Sequence, residues 1–311
     1  MPRVLVTRRL ALAPQEVLGS GMSIDQHDSE LTLPRDELLR RVREVAALVP
    51  TLADRVDTEL LDAAPRLRVV ANHAVGYDNV DVPACTARGV WVTNTPDVLT
   101  DATADLAWAL ILSLARRLRE GERMVRAGEY AGWAPTMLLG RELRGRTLGI
   151  LGYGRIGRAV ARRAEGFGMR VLFTARGGGT PFDELLQQSD VLSIHCPLTP
   201  QTHHLFDAAA LLRMKRGALL VNTARGPIVD EAALAAALEA GHLGGAALDV
   251  FEHEPLVHPK LMGRDDVVLL PHLGSATQEA RESMARIALT QVELVLRGER
   301  PQTPVNEIQG R

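Results

Sequence analysis

Short apolar runs punctuate the chain, and stretches with helical periodicity lie between them. In the first third, "RVLVT" at 3–7, "AALVP" at 46–50, "LRVVAN" at 67–72 and "VWVTN" at 90–94 read as strands, with helices over 36–45 and 58–64. This alternation predicts an α/β architecture built on parallel sheets. The pattern changes at "TPDVLTDATADLAWALILSLARRLREGERMVRAG". There Thr100 is placed to cap one long helix whose apolar side runs through Leu106, Leu110, Leu114 and Leu118. A loop holding Trp133 follows. Strand candidates then recur at 147–151, 170–174, 191–195, 218–222, 245–249 and 267–270, and a last helix runs from about 276 to 297. That final helix leaves the second group of strands and returns to the first. The expected organisation is therefore a discontinuous domain, 1–98 with 282–311, and an inserted domain over 99–281.

Composition narrows the class. A length of 311 residues suits two domains, and a net charge of −2 gives no basic excess for nucleic acid or an anionic membrane. No uncharged apolar run reaches the roughly 18 residues of a membrane span. "MPRVLVTRRL" reads as a strand followed by charge rather than a signal peptide. Cys85 and Cys196 lie too far apart in sequence to suggest a disulfide framework, so a reducing cytoplasm is the expected setting. "HEPLVH" lacks zinc spacing and a third ligand, and no metal is expected.

"TLGILGYGRIGRAVARRAEGFGMRVLFTAR" reads as strand, glycine turn, helix and strand, the setting of a dinucleotide site. Gly152 permits the tight turn, Gly154 lets a pyrophosphate approach the backbone, and Gly157 lets the helix pack on the sheet. After the second strand an acid would accept the ribose hydroxyls of NAD and repel the 2′-phosphate of NADP. The chain has Ala175 there, then Arg176, then Gly177, Gly178 and Gly179. Loss of the repulsion and gain of a cation predict NADP(H) as the preferred cofactor, with NAD(H) the weaker alternative. A solvated surface arginine beside a loose turn is the plainer reading of Arg176.

Three later strand ends carry chemistry. Arg225 follows 218–222, Asp249 ends 245–249 with Glu254 shortly after, and His272 follows 267–270. Hydride transfer to a 2-oxo acid needs a cation for the carboxylate and carbonyl, a proton donor, and a carboxylate to favour the charged donor. Arg225, His272 and Glu254 are a candidate set. His253, beside Glu254, is a second candidate donor, and a strand-end arginine equally suits a surface ion pair.

With these motifs in order, the chain resembles the D-isomer-specific 2-hydroxyacid dehydrogenases. The match includes "AVGYDNVD" at 74–81, "TDATADLAWALIL" at 100–112, "WAPTMLLGRELRGRTLGILGYGRIG" at 133–157, "VNTARGPIVDEAAL" at 221–234, "LDVFEHEP" at 248–255 and "PHLGSAT" at 271–277. Through segment 133–139 and the missing acid at Ala175 it is most similar to the glyoxylate/hydroxypyruvate reductase branch. The resemblance implies two Rossmann-like domains with a cleft between them, a flavodoxin-like substrate domain plus the inserted dinucleotide-binding domain. It implies reduction of glyoxylate or hydroxypyruvate to glycolate or D-glycerate, and a homodimer formed through the coenzyme domains. Arg225, Glu254 and His272 become the catalytic residues. Leu52, Val75, Gly76, Arg225 and Ser275 become substrate contacts, the carboxylate meeting the Val75 and Gly76 N–H groups. Trp133, on sequence alone equally a core anchor, becomes a wall of the partner subunit's substrate site. Cofactor contacts are implied at Thr103, at Gly152, Gly154, Arg155, Ile156 and Gly157, and at Ala175 and Arg176. Others are implied at Cys196, Pro197 and Thr202, at Thr223 and Ala224, and at Asp249, His272 and Gly274, with Asp249 accepting from the nicotinamide amide. Asp78 and Asn79 are expected to be structural.

The glycines after Arg176 depart from NADP-preferring relatives, which extend basic residues there. The chain is expected to lack the C-terminal regulatory domain of the long phosphoglycerate dehydrogenases. The competing readings are a dehydrogenase of D-lactate, phosphoglycerate, formate or phosphite, and a dinucleotide-sensing protein like the corepressors that share this fold.

Overall fold

The computed structural model describes residues 1–308; the last three residues of the expected C-terminal segment lie outside them. The chain divides into two units, one of Met1–Leu99 with the chain from Thr277 onward, the other of Thr100–Ala276.

In the first unit the strands are β1 (Arg3–Val6), β2 (Ser23–Gln26), β3 (Ala47–Val49), β4 (Val69–Ala71) and β5 (Trp91–Thr93). All pairs are parallel, in the order β2-β1-β3-β4-β5, a doubly wound, flavodoxin-like arrangement. The central strands are buried on both faces, which is why they read as unbroken apolar runs. Two elements escape that reading. β2, "SIDQ", is a polar edge strand, tied down where Arg3 meets Asp25 at 2.7 Å. The helix Val82–Ala87 is a short piece started by Asp81, whose carboxylate accepts the Ala84 N–H at 2.9 Å. The helix Gln278–Leu296, capped by Thr277, lays Ala288, Leu289, Val292 and Val295 on Val4, Val6, Ala47, Val49, Val69 and Ala71. Truncating fully buried Leu289 to alanine would cost about 2–5 kcal/mol.

The second unit holds β6 (Thr147–Leu151), β7 (Arg170–Ala175), β8 (Gly178–Gly179), β9 (Val191–Ile194), β10 (Leu219–Asn222), β11 (Gly245–Leu248) and β12 (Val267–Leu269). Their order is β12-β11-β10-β9-β6-β7-β8, parallel except for the antiparallel β7–β8 pair. Strand order reverses between β6 and β9, so the glycine turn after β6 sits at the switch point where such sheets bind ligands.

The single long helix expected from Thr100 is instead two, Thr100–Ala115 and Leu118–Arg126. Arg117 stands between them at φ 53°, in the left-handed region, with its guanidinium on Glu120 at 2.5–2.8 Å. Of the expected leucine row, Leu110 is buried and Leu106 and Leu114 pack against the same core, joined there by Ala104, Ala107, Trp108, Ile111 and Ala115, whereas Leu118, beyond the break, is exposed. Small residues let this helix approach the helix Arg155–Gly166, where Trp108 Nε1 donates to Val160 O at 3.0 Å. Among the described residues no helix is long and apolar enough to cross a membrane.

Candidate active site

Gly152 leaves β6 at φ 93°, and a Cβ there would lie 2.5 Å from Cys196 N. A Cβ on Gly157 would lie 2.1 Å from Gly152 O, so only glycine lets the helix seat on the turn. Gly154 is the N-cap of that helix and lacks a side-chain cap. Open space surrounds its missing side chain. A turn this bare, opening a helix whose first-turn N–H groups have no intrahelical acceptor, fits a pyrophosphate.

Ala175 and Arg176 end β7. Arg176 heads a tight antiparallel hairpin, pinned where Thr180 N–H donates to Phe173 O at 2.7 Å and Thr174 Oγ1 to Thr180 O at 2.5 Å. The glycines are thus an ordered β-hairpin, where the plainer reading had a loose turn, and they present Arg176 exposed at its tip. After β9, burial pushes the Cys196 thiol up to about 11. Thr202 Oγ1 donates to Pro197 O at 2.8 Å and closes the turn below it.

The strand ends assemble the chemistry. Arg225 follows β10, beyond Thr223 and Ala224, and is half-buried. Asn222 shapes the turn by accepting Ala224 N–H at 3.0 Å and donating to Arg225 O at 2.8 Å. Asp249, 1% exposed, directly follows β11. Its two oxygens accept the N–H groups of Leu273 at 2.6 Å and Gly274 at 2.8 Å, while its carbonyl accepts His272 N–H at 2.9 Å. Thr103 Oγ1 donates to Gly274 O at 2.9 Å from the other side. Together they hold His272 at φ 56°, a conformation a non-glycine residue adopts only when its surroundings impose it. Ser275 lies next along the same turn. His272 Nδ1 then meets Glu254 Oε2 at 3.1 Å.

The two carboxyls near His272 are driven apart. Burial pushes Asp249 above the usual carboxylate range, outweighing its two N–H bonds and the His272 charge. Burial would raise Glu254 too. Its hydrogen bond and charge interaction with His272, the Phe251 N–H and the Arg225 charge together hold it below its ordinary range. Such a split leaves one carboxylate charged beside the His272 ring. His253, adjacent in sequence, is exposed and is not the partner of Glu254. Burial pushes His195 and His73 down to about 4, leaving both neutral and unsuited to donate protons near neutral pH.

In the first unit, Leu52 and the 74–76 loop occupy the carboxyl ends of β3 and β4. The carbonyls of Val75 and Gly76 are taken by Asn94 and Asn72 at 2.8 Å each. Asn79 ties the loop base to Thr51 O and Asp54 O at 3.0 Å. These asparagines leave the Val75 and Gly76 N–H groups unspent within the described residues. Asn72 and Asn94 were not singled out from sequence, though Asn72 and Asn79 flank the glycine turn there. Trp133 is 78% exposed, in a coil with exposed Tyr130 and Leu139. A cavity of about 560 Å³ lies at the opposite, amino end of the second sheet. Its arginines, Arg117, Arg119, Arg141 and Arg264, are engaged by Glu120, Asp265, Asp266 and backbone carbonyls.

Residues 108–274 match the family described as "D-isomer specific 2-hydroxyacid dehydrogenase, NAD binding domain". The chain belongs to the D-isomer-specific 2-hydroxyacid dehydrogenases. The glyoxylate reductase of Thermococcus onnurineus is 48% identical over 98% of this dehydrogenase and 96% of its own length. That of Pyrococcus horikoshii is 45% identical over the same shares. Among solved structures, the TT0316 protein of Thermus thermophilus is 48% identical with a TM-score of 0.93, covering 98% of this chain and 100% of its own. The NADPH-dependent glyoxylate/hydroxypyruvate reductase of Sinorhizobium meliloti, solved with NADP and malonate, is 34% identical with a TM-score of 0.84, over 98% and 96%. The dehydrogenase is thus an NAD(P)-dependent oxidoreductase.

Proposed function

We propose that this dehydrogenase reduces glyoxylate and hydroxypyruvate to glycolate and D-glycerate, with NADPH preferred to NADH. The observation that carries the chemistry is the Glu254–His272 pair at 3.1 Å, on a strand-end layer shared with Arg225. Full-length similarity to glyoxylate reductases supports the substrate class.

The glycine turn would hold the pyrophosphate, and Arg176 the 2′-phosphate. Asp249 has lone pairs beyond those spent on Leu273 and Gly274, and these would take the nicotinamide amide. What the nicotinamide supplies when bound is a hydride for C2 of the 2-oxo acid. The chain's own residues do the rest. Val75 and Gly76 N–H groups take the substrate carboxylate, and the Arg225 fork grips carboxylate and carbonyl and polarises the latter. His272 donates a proton from Nε2 to the carbonyl oxygen, because Nδ1 is committed to Glu254. Glu254 favours the charged ring and fixes its orientation.

The active assembly is a homodimer built on the coenzyme units. The exposed coil carrying Tyr130, Trp133 and Leu139 packs on the partner, with Trp133 walling the partner's substrate site. A spectrophotometric screen of small 2-oxo acids with NADPH and NADH tests the assignment. Glyoxylate and hydroxypyruvate with NADPH should give the highest kcat/KM. A clear preference for pyruvate, or for NADH, would contradict it.

A further inference from the structure

Behind the Glu254 loop lies a group of acids and a histidine that the chemistry above does not use. Glu231 opens the helix Glu231–Glu239, yet it is only 4% exposed. Its oxygens reach the loop after β11, Oε1 accepting Glu252 N–H at 2.8 Å and Oε2 accepting His258 N–H at 2.9 Å. Glu252 returns the contact, its Oε2 accepting Glu231 N–H at 3.2 Å. The loop is therefore gripped on both sides of Glu254. A buried carboxylate is costly unless its oxygens are satisfied, and here backbone N–H groups of this one loop satisfy them.

The second grip comes from His204. Its Nε2 lies 2.7 Å from Glu252 Oε1, and its backbone N–H donates to Pro227 O at 2.8 Å, in the turn that Arg225 begins. His204 stands at φ 49°, in the left-handed region, which histidine enters more readily than most side chains. The two turns also touch directly, since a Cβ on Gly226 would lie 1.9 Å from Phe251 O. Phe251 N–H in turn donates to Glu254 Oε1 at 3.2 Å, leaving Oε2 for His272.

We propose that Glu231, Glu252 and His204 are positioning residues: they hold the Glu254 loop against the Arg225 turn, so that Glu254 orients the proton donor. The inference rests on the roles given above to Glu254 and His272. The test uses Glu231→Gln, Glu252→Gln and His204→Gln, each alone and combined with Glu254→Gln, in glyoxylate reduction by NADPH across pH. Each single variant should lower kcat by about 10- to 100-fold, as expected when a reacting group is misplaced by a fraction of an ångström to 1 Å. NADPH affinity by fluorescence titration should stay unchanged. Each should also move the proton-donor limb in the direction Glu254→Gln moves it, with no further movement in the doubles. If Glu231→Gln does not fold, the same outcome is required of Glu252→Gln and His204→Gln, whose side chains are 18% and 35% exposed. Limbs that stay in place, or shifts that add to that of Glu254→Gln, would overturn the clamp alone. If Glu254→Gln itself leaves the limb in place, the assignment of the relay falls, and the clamp with it.

Discussion

Replacing Glu254 with glutamine removes one charge and keeps the side-chain shape. In the wild type Oε2 lies 3.1 Å from His272 Nδ1, with the two side chains 39% and 31% exposed. Two unit charges 4 Å apart interact by about 4 kcal/mol at an effective dielectric near 20, and by about 1 kcal/mol in water. Exposure on this scale brings the pair toward the watery limit, leaving about 1–1.5 kcal/mol. The interaction is mutual. The contact that holds the Glu254 carboxyl below its ordinary range favours the charged His272 ring by the same amount. Reduction needs the ring with its proton, and oxidation of the hydroxy acid needs it without. In Glu254→Gln, reduction should therefore decline at a lower pH than in wild type. Oxidation should extend to lower pH. The assay is kcat/KM against pH in both directions. A profile that does not move would remove Glu254 from the relay.

Arg176→Ala should lower kcat/KM for NADPH by about one decade, the lower end for a charge-assisted contact because Arg176 is exposed, and leave NADH kinetics unchanged. Equal losses with both cofactors would end that assignment. Trp133→Ala should relax discrimination among 2-oxo acids while light scattering still reports a dimer. Unchanged selectivity, or a wild-type monomer, would refute its role at the partner's site.

The central strands of both sheets were legible because each is buried on two faces and therefore appears as an unbroken apolar run. The glycine turn was legible because its close approaches exclude every other residue at Gly152 and Gly157. What escaped depends on contacts distant in sequence. β2 carries a single apolar residue and exists as an edge partner of β1. The helix break at Arg117 follows from a left-handed residue anchored on Glu120, which no periodicity announces. The turn that sets His272 against Glu254 is imposed by Asp249 and Thr103, and Thr103 lies 171 residues from the Gly274 carbonyl it meets. Asp249 itself looked like a cofactor contact only. Its carboxylate is first of all the anchor of the His272 turn.

The central claim is that His272 donates the proton while Arg225 binds and polarises the 2-oxo acid. It is tested most directly by steady-state reduction of glyoxylate with NADPH in wild type, His272→Ala and Arg225→Ala. His272→Ala should lose about 10²–10⁴-fold in kcat with little change in KM, as for a missing general acid. Arg225→Ala should suffer in both kcat and KM, because the arginine binds the ground state and grips the transition state harder. A His272→Ala enzyme that turns over glyoxylate at the wild-type rate would contradict the account.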